Sequence, residues 1–229
     1  LGKRDLTAEV FGAHTTEGEG PYLRTGDLGF LSGGELFVTG RRKDLIILRG
    51  RNHYPQDLER SAEAAHPAVR PGCVNAFSVD EGGEERLVLV AEVQPERAED
   101  LLAVATAITQ RVAEGHDLLV HRVALTPPRA LPKTSSGKLQ RGACRAELLG
   151  GTLPLLRSWG GAELLGAYVR ARLASVLGVA PEQVDLDRPL EALGVDSLAL
   201  AELDASLDRT LGVRLGLGAM GAGVSVAAL

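Results

Sequence analysis

Leu131-Pro132-Lys133-Thr134-Ser135-Ser136-Gly137-Lys138-Leu139-Gln140-Arg141 sets a run of hydroxyl side chains and a glycine directly before a lysine. A Gly-Lys pair of this kind invites a phosphate-loop reading, which needs glycine at 132 and serine or threonine at 139. Pro132 and Leu139 stand there instead, so that reading fails. Taken alone, the stretch fits a surface lysine in a flexible turn. Further along, Gly194-Val195-Asp196-Ser197-Leu198 taken alone reads as a helix start, with Asp196 as N-cap and Ser197 in the first turn.

Upstream of the lysine loop the chain alternates strand and helix signals. Residues 1–34 read as loop-rich, with a turn at Ser32-Gly33-Gly34. Strands are predicted over 35–39 and 45–48, separated by the charged turn Gly40-Arg41-Arg42-Lys43-Asp44. A helix follows over 56–65, with Leu58, Ala62 and Ala65 on one face. Strands over 73–79 and 86–93 flank the turn Asp80-Glu81-Gly82-Gly83. The helix predicted over 98–114 spaces Leu101, Val104, Ile108 and Val112 along one stripe. A strand over 118–125 and a helix over 141–149 bracket the lysine loop. This alternation predicts a small α+β domain over 43–148.

Beyond it, 149–160 reads as a linker, although Leu155, Leu156 and Trp159 are apolar enough to dock on a neighbour. No strand signal follows. Helices are predicted over 163–177 and from Ser197, the latter burying Leu200, Leu203, Leu207 and Leu211. Val224 to Leu229 would begin a last helix. The expectation for 161–229 is an all-α bundle whose last helix is cut short.

Composition narrows the classes. The formal net charge is −5, and residues 161–229 hold nine acids against five arginines. An acidic C-terminal unit argues against nucleic acid and for a basic protein partner. No run of about 18 apolar residues occurs, so no membrane span is expected. Two cysteines, Cys73 and Cys144, are too few for a disulfide framework or a metal cluster, and both are predicted to be buried, reduced thiols of a cytoplasmic protein. The five histidines lack metal-ligand spacing, so no metal site is expected. The N-terminus lacks both a signal-peptide pattern and an initiator methionine, which reads as a fragment.

Three segments carry a resemblance. Tyr22-Leu23-Arg24-Thr25-Gly26-Asp27-Leu28-Gly29, then Gly40-Arg41-Arg42-Lys43-Asp44 through Gly50-Arg51-Asn52-His53-Tyr54-Pro55, then the lysine loop, occur in the order found in the adenylate-forming superfamily. The Gly-Arg-Asn-His-Tyr-Pro-Gln-Asp wording and Arg141-Gly142-Ala143-Cys144-Arg145 most resemble fatty-acyl-AMP ligases. The segment around Ser197 resembles acyl carrier domains.

The resemblance implies roles. Residues 1–42 would be the tail of a large N-terminal adenylation domain, 43–148 its C-terminal subdomain and 161–229 the acyl carrier domain. Asp27 would accept both ribose hydroxyls of ATP, and Arg41 would donate to ribose or phosphate oxygens. Lys43 would be the hinge between two working poses. Lys138 would neutralise charge growing between the α-phosphate and the attacking carboxylate. Gly50 would line a pantetheine tunnel, although it reads equally well as a plain turn glycine. Ser197 would carry 4′-phosphopantetheine, installed by a phosphopantetheinyl transferase. The substrates would be a fatty acid and ATP, with AMP held in acyl-AMP and the Mg2+ ligand in the large N-terminal domain. The acyl group would pass to the carrier and on to a downstream synthase domain. By itself this stretch of chain is not expected to adenylate. An amino-acid-activating domain with a peptidyl carrier, or a non-catalytic carrier and docking module, remain open as alternatives.

Overall fold

In the computed structural model, which describes residues 3–98 and 100–211, a four-stranded mixed sheet organises the molecule. Its strands are β5 (Val69–Glu81), β6 (Glu84–Val93), β7 (Arg122–Thr126) and β8 (Arg157–Gly160), in that spatial order. The β5–β6 and β7–β8 pairs are antiparallel, while β6 and β7 run parallel. The parallel pair requires a crossover, supplied by helix α3 (Leu101–His116). Asp100 caps α3, its carboxylate accepting from the backbone N–H groups of Leu102 at 3.0 Å and Ala103 at 3.3 Å.

Both faces of the sheet are covered, which explains why β6 reads as a continuous apolar run. Leu87, Leu89, Ala91 and Val93 point to one face, packing with Val104 and Ile108 of α3 and with Leu58 and Ala62 of helix α2 (Pro55–Glu63). Val88 and Val90 point to the other, packing with Cys73, Phe77, Leu131 and Cys144. Cys144 and Leu148 belong to helix α4 (Arg141–Leu149), which covers that second face. The expected α+β subdomain is therefore present, with both cysteines buried as free thiols.

Two predicted features differ. The 149–160 linker is instead part of the sheet: Arg157–Gly160 pairs with β7, Trp159 is 2% exposed and Leu153 is buried. One tryptophan side chain at the sheet edge supplies the burial that the glycine-rich composition concealed. Leu155 and Leu156 stay about two-fifths exposed, so of the three candidates it is Trp159 that docks. Residues 1–34 also hold more order than expected. Helix α1 (Arg4–Phe11) lies there, and strand β1 (Asp27–Ser32) pairs antiparallel with β2 (Glu35–Arg41) through Gly33 and Gly34, both at positive φ as a tight hairpin turn requires.

The C-terminal helices are α5 (Gly161–Leu177) and α6 (Ser197–Leu211). Tyr168, Val169, Leu173 and Ala174 of α5 pack with Val184, Val195, Leu203 and Leu207. Ala113 of α3 joins the same cluster, and Arg172 Nη1 reaches Glu114 Oε1 at 3.1 Å, so the helical unit rests against the α3 end of the sheet domain. No helix among the described residues is long and apolar enough to cross a membrane. The helix expected from Val224 to Leu229 lies outside the described residues.

Candidate functional site

The lysine loop connects β7 to α4, and its shape follows from local hydrogen bonding. Thr134 N–H donates to the Lys138 carbonyl at 2.8 Å, and Gly137 N–H to the Thr134 carbonyl at 2.9 Å. Lys138 N–H donates in turn to Thr134 Oγ1 at 3.0 Å. Gly137 sits at φ +83°, a conformation that favours glycine. Lys133 and Leu139 close the base as a bridge, so Lys138 stands at the end of a tight, exposed turn.

A buried acid ties down the entry to this loop. Glu92, the penultimate residue of the apolar β6, has no exposed surface. Its Oε1 accepts from Leu131 N–H at 3.0 Å, and its Oε2 pairs with the Arg70 guanidinium. Burial pushes the Glu92 pKa up, but hydrogen bonds from the Leu131 and Arg129 backbones and the Cys73 thiol, with the Arg70 charge, hold it below the ordinary range. The exit is tied by Arg141, the first residue of α4. Its Nε and Nη2 reach Glu59 Oε1 and Oε2 at 2.6 and 2.5 Å, and its Nη1 reaches Asp44 at 3.5 Å. Glu59 also accepts from Ala76 N–H at 3.0 Å, so α2, β5, the 42–44 turn and α4 converge on one carboxylate and one guanidinium.

Facing the turn is the β1–β2 hairpin. Asp27 and Arg41 are partners in its register, and Arg41 Nε lies 3.4 Å from Asp27 Oδ1. Asp27, Arg41, Lys43 and Lys138 line one cleft of about 810 Å³, together with Asp44, Thr134 and Arg141. Four of the residues singled out from the sequence are thus brought together from three separate segments. Four cations and two carboxylates around one cleft, with Arg141 and Asp44 already paired to each other, suit a ligand that combines phosphate with ribose hydroxyls.

Gly50 does not line that cleft. It forms, with Arg49, the two-residue turn between β3 (Ile46–Leu48) and β4 (Arg51–His53), at φ +72° after +51° for Arg49. Ser197 is the first residue of α6, directly after Asp196, and the preceding Val195 is buried. Sequence reasoning missed the roles of Glu92, Glu59 and Arg141 in holding the loop. The available signal was an acid in the wrong place: Glu92 interrupts an apolar strand, and Glu59 sits beside Leu58 on the buried side of α2. Among the described residues no group of three or more His, Cys, Asp or Glu side chains converges as a metal site.

Comparison with known proteins bears on the family. Residues 43–158 match the family described as Disco-interacting protein 2-like, AMP domain, and residues 167–229 match the phosphopantetheine attachment site. The chain is 51% identical over 150 residues to the medium-chain-fatty-acid–[acyl-carrier-protein] ligase JamA of Moorena producens, covering 64% of this chain and 25% of that protein. It is 44% identical over 153 residues to the long-chain-fatty-acid–AMP ligase FadD32 of Mycolicibacterium smegmatis, covering 58% and 24%. The chain therefore spans about a quarter of the length of these relatives. Among solved structures, the McyG A-PCP complexed with phenylalanyl-adenylate superposes with a TM-score of 0.57 at 31% identity, covering 66% of this chain and 26% of that one. A fatty acyl-adenylate ligase structure from work on the E. coli and L. pneumophila enzymes gives 0.50 at 36% identity, covering 56% and 22%. With the first family match taking in just over half of its residues, the chain belongs to the Disco-interacting protein 2-like AMP-domain family, continued in the same polypeptide by a phosphopantetheine attachment domain.

Proposed function

We propose that this chain is the C-terminal part of a fatty-acyl-AMP ligase that activates a fatty acid with ATP and loads it onto its own carrier domain. The observation that carries this reading is the cleft in which Asp27, Arg41, Lys43 and Lys138 converge, in a polypeptide that also contains Ser197 at the start of a carrier helix. Identity of 51% and 44% to fatty-acid ligases supports the acyl class over an amino acid. The amino-acid alternative draws on the likeness to the McyG structure, and the test below separates the two.

In this reading Asp27 accepts the two ribose hydroxyls, a two-oxygen acceptor facing two donors, and Arg41 both orients that carboxylate and donates to the nucleotide. Lys138 places its ammonium where negative charge accumulates as carboxylate attacks the α-phosphate. A preorganised cation at that point lowers the barrier by several kcal/mol. The Mg2+ that accompanies ATP is assigned to the large N-terminal domain. Rotation at Lys43 then withdraws Lys138 and presents the Arg49–Gly50 turn, where a glycine leaves room for a pantetheine chain. Phosphopantetheine on Ser197 supplies the thiol that accepts the acyl group. The start of α6 suits that attachment, because a helix N-terminus favours a phosphodiester.

A large N-terminal adenylation domain is the partner that fits residues 1–42. Phe30, Leu31, Leu36, Phe37 and Val38 are 43–74% exposed on the β1–β2 hairpin, with the two phenylalanine rings stacked at 5.2 Å. An apolar patch of that kind asks for cover. A phosphopantetheinyl transferase and a downstream synthase domain complete the set of partners, and two free buried thiols suit the cytoplasm.

The test is the intact mass of the full-length protein, with Ser197 converted to its phosphopantetheine form and incubated with ATP, magnesium, fatty acids and amino acids. A fatty-acyl mass gain that vanishes in Ser197→Ala is expected. An aminoacyl gain would move the protein to the amino-acid-activating class, and no gain would favour a carrier loaded by another enzyme.

A further inference from the structure

Cys73 and Lys133 meet at the base of the Lys138 turn. Cys73 lies on β5 at 3% exposure, and Lys133 pairs with Leu139 where the turn closes. Lys133 Nζ is 3.2 Å from Cys73 Sγ. Glu92, on the adjacent strand, holds the approach to the amine by accepting from Leu131 N–H at 3.0 Å. One buried carboxylate thus fixes the backbone two residues before the amine. The thiol faces an amine on a separate segment of the chain.

We propose that Cys73 and Lys133 form a modification site at which oxidation joins the two side chains through one oxygen atom, an N–O–S bridge between β5 and the lysine loop. The oxidant is dioxygen, small and apolar enough to reach a thiol that bulk solvent barely touches. The ammonium first releases one proton to solvent. The S–H bond, one N–H bond of the amine and the O–O bond then break, while an S–O and an N–O bond form. One oxygen atom enters the bridge, and the other leaves as water with both hydrogens. Sulfur and nitrogen each lose two electrons, and dioxygen gains four. Thiol reductants reverse the step, as they do for the lower rungs of cysteine oxidation. The bridge removes the Lys133 charge and anchors the base of the turn covalently to the sheet.

The experiment uses the full-length protein, fully reduced and then held in oxygen-saturated buffer, digested without reductant and analysed by mass spectrometry. The expected product is a Cys73 peptide joined to a Lys133 peptide with a gain of one oxygen less two hydrogens, about 14 Da, lost on dithiothreitol treatment. Cys73→Ala and the charge-preserving Lys133→Arg should each abolish it. A Cys73 that stays a free thiol, or that carries its own oxygens while Lys133 remains unlinked, would overturn the proposal. Neither result depends on ligase activity, so this inference and the proposed function fail separately.

Discussion

Arg141 grips Glu59 with two parallel hydrogen bonds, 2.6 and 2.5 Å long, at the point where the lysine loop enters α4. The pair is largely withdrawn from solvent, with Arg141 at 27% and Glu59 at 10% side-chain exposure. Breaking a buried ion pair from one side leaves a charge with neither water nor a partner. Arg141→Met is therefore expected to cost about 3 kcal/mol of unfolding free energy. The double replacement Arg141→Met with Glu59→Met should recover part of that loss, which urea denaturation of the two variants would reveal. Equal loss in both would mean that the guanidinium acts through packing alone.

Lys138 lines the same cleft as Asp27 and Arg41, on a turn held rigid by its own hydrogen bonds. In the full-length protein Lys138→Ala should lower adenylation by at least about a hundredfold while sparing acyl transfer from supplied acyl-AMP. Separate assays of pyrophosphate exchange and of thioester formation check this. An equal loss in both half-reactions would make the lysine structural.

His53 and His116 give the fold an acid-sensitive limb. Burial lowers the pKa of both; the His116 and Arg51 charges lower His53 further, while Asp57 and Asp117 partly offset the shift at His116. In the unfolded chain each titrates near 6.5. The unfolded state consequently binds more protons as pH falls below that value, and stability falls with it. His53→Gln with His116→Gln should flatten the decline of the urea midpoint between pH 7 and pH 5. A parallel decline in the double variant would assign the limb to carboxylates instead.

Cys144 is held as an inert thiol, its pKa pushed up by burial to about 11. Since the thiolate is the reactive form, only about one molecule in a thousand presents it at pH 8. Iodoacetamide should leave Cys144 unlabelled in the native protein and label it after denaturation. Rapid native labelling would mean that α4 lifts from the sheet.

Short motifs with fixed residue types made the cleft legible. Asp27, Arg41, Lys43 and Lys138 each stand in a segment whose wording survives without knowledge of the fold, and the structure assembles them in one place. Long periodic elements such as α3 were legible for a different reason, since a stripe of Val104, Ile108 and Val112 needs many residues to emerge. Strand β8 offered only Arg157-Ser158-Trp159-Gly160, too short for alternation to register, and glycines on either side resembled a tether. The supports of the lysine loop were hidden because a contact such as Arg141 with Glu59 joins residues far apart in the chain. Only the folded sheet brings them together.

Strand β8 ends at Gly160 and α5 begins at Gly161, with no slack between sheet and helix. A carrier on a floppy leash explores a sphere and meets its donor at a concentration set by leash length. Here the leash has no length at this end. Under the proposed function, Ser197 would be borne like a hand on a forearm, and where it arrives would follow the turning of the sheet rather than what the carrier happens to encounter.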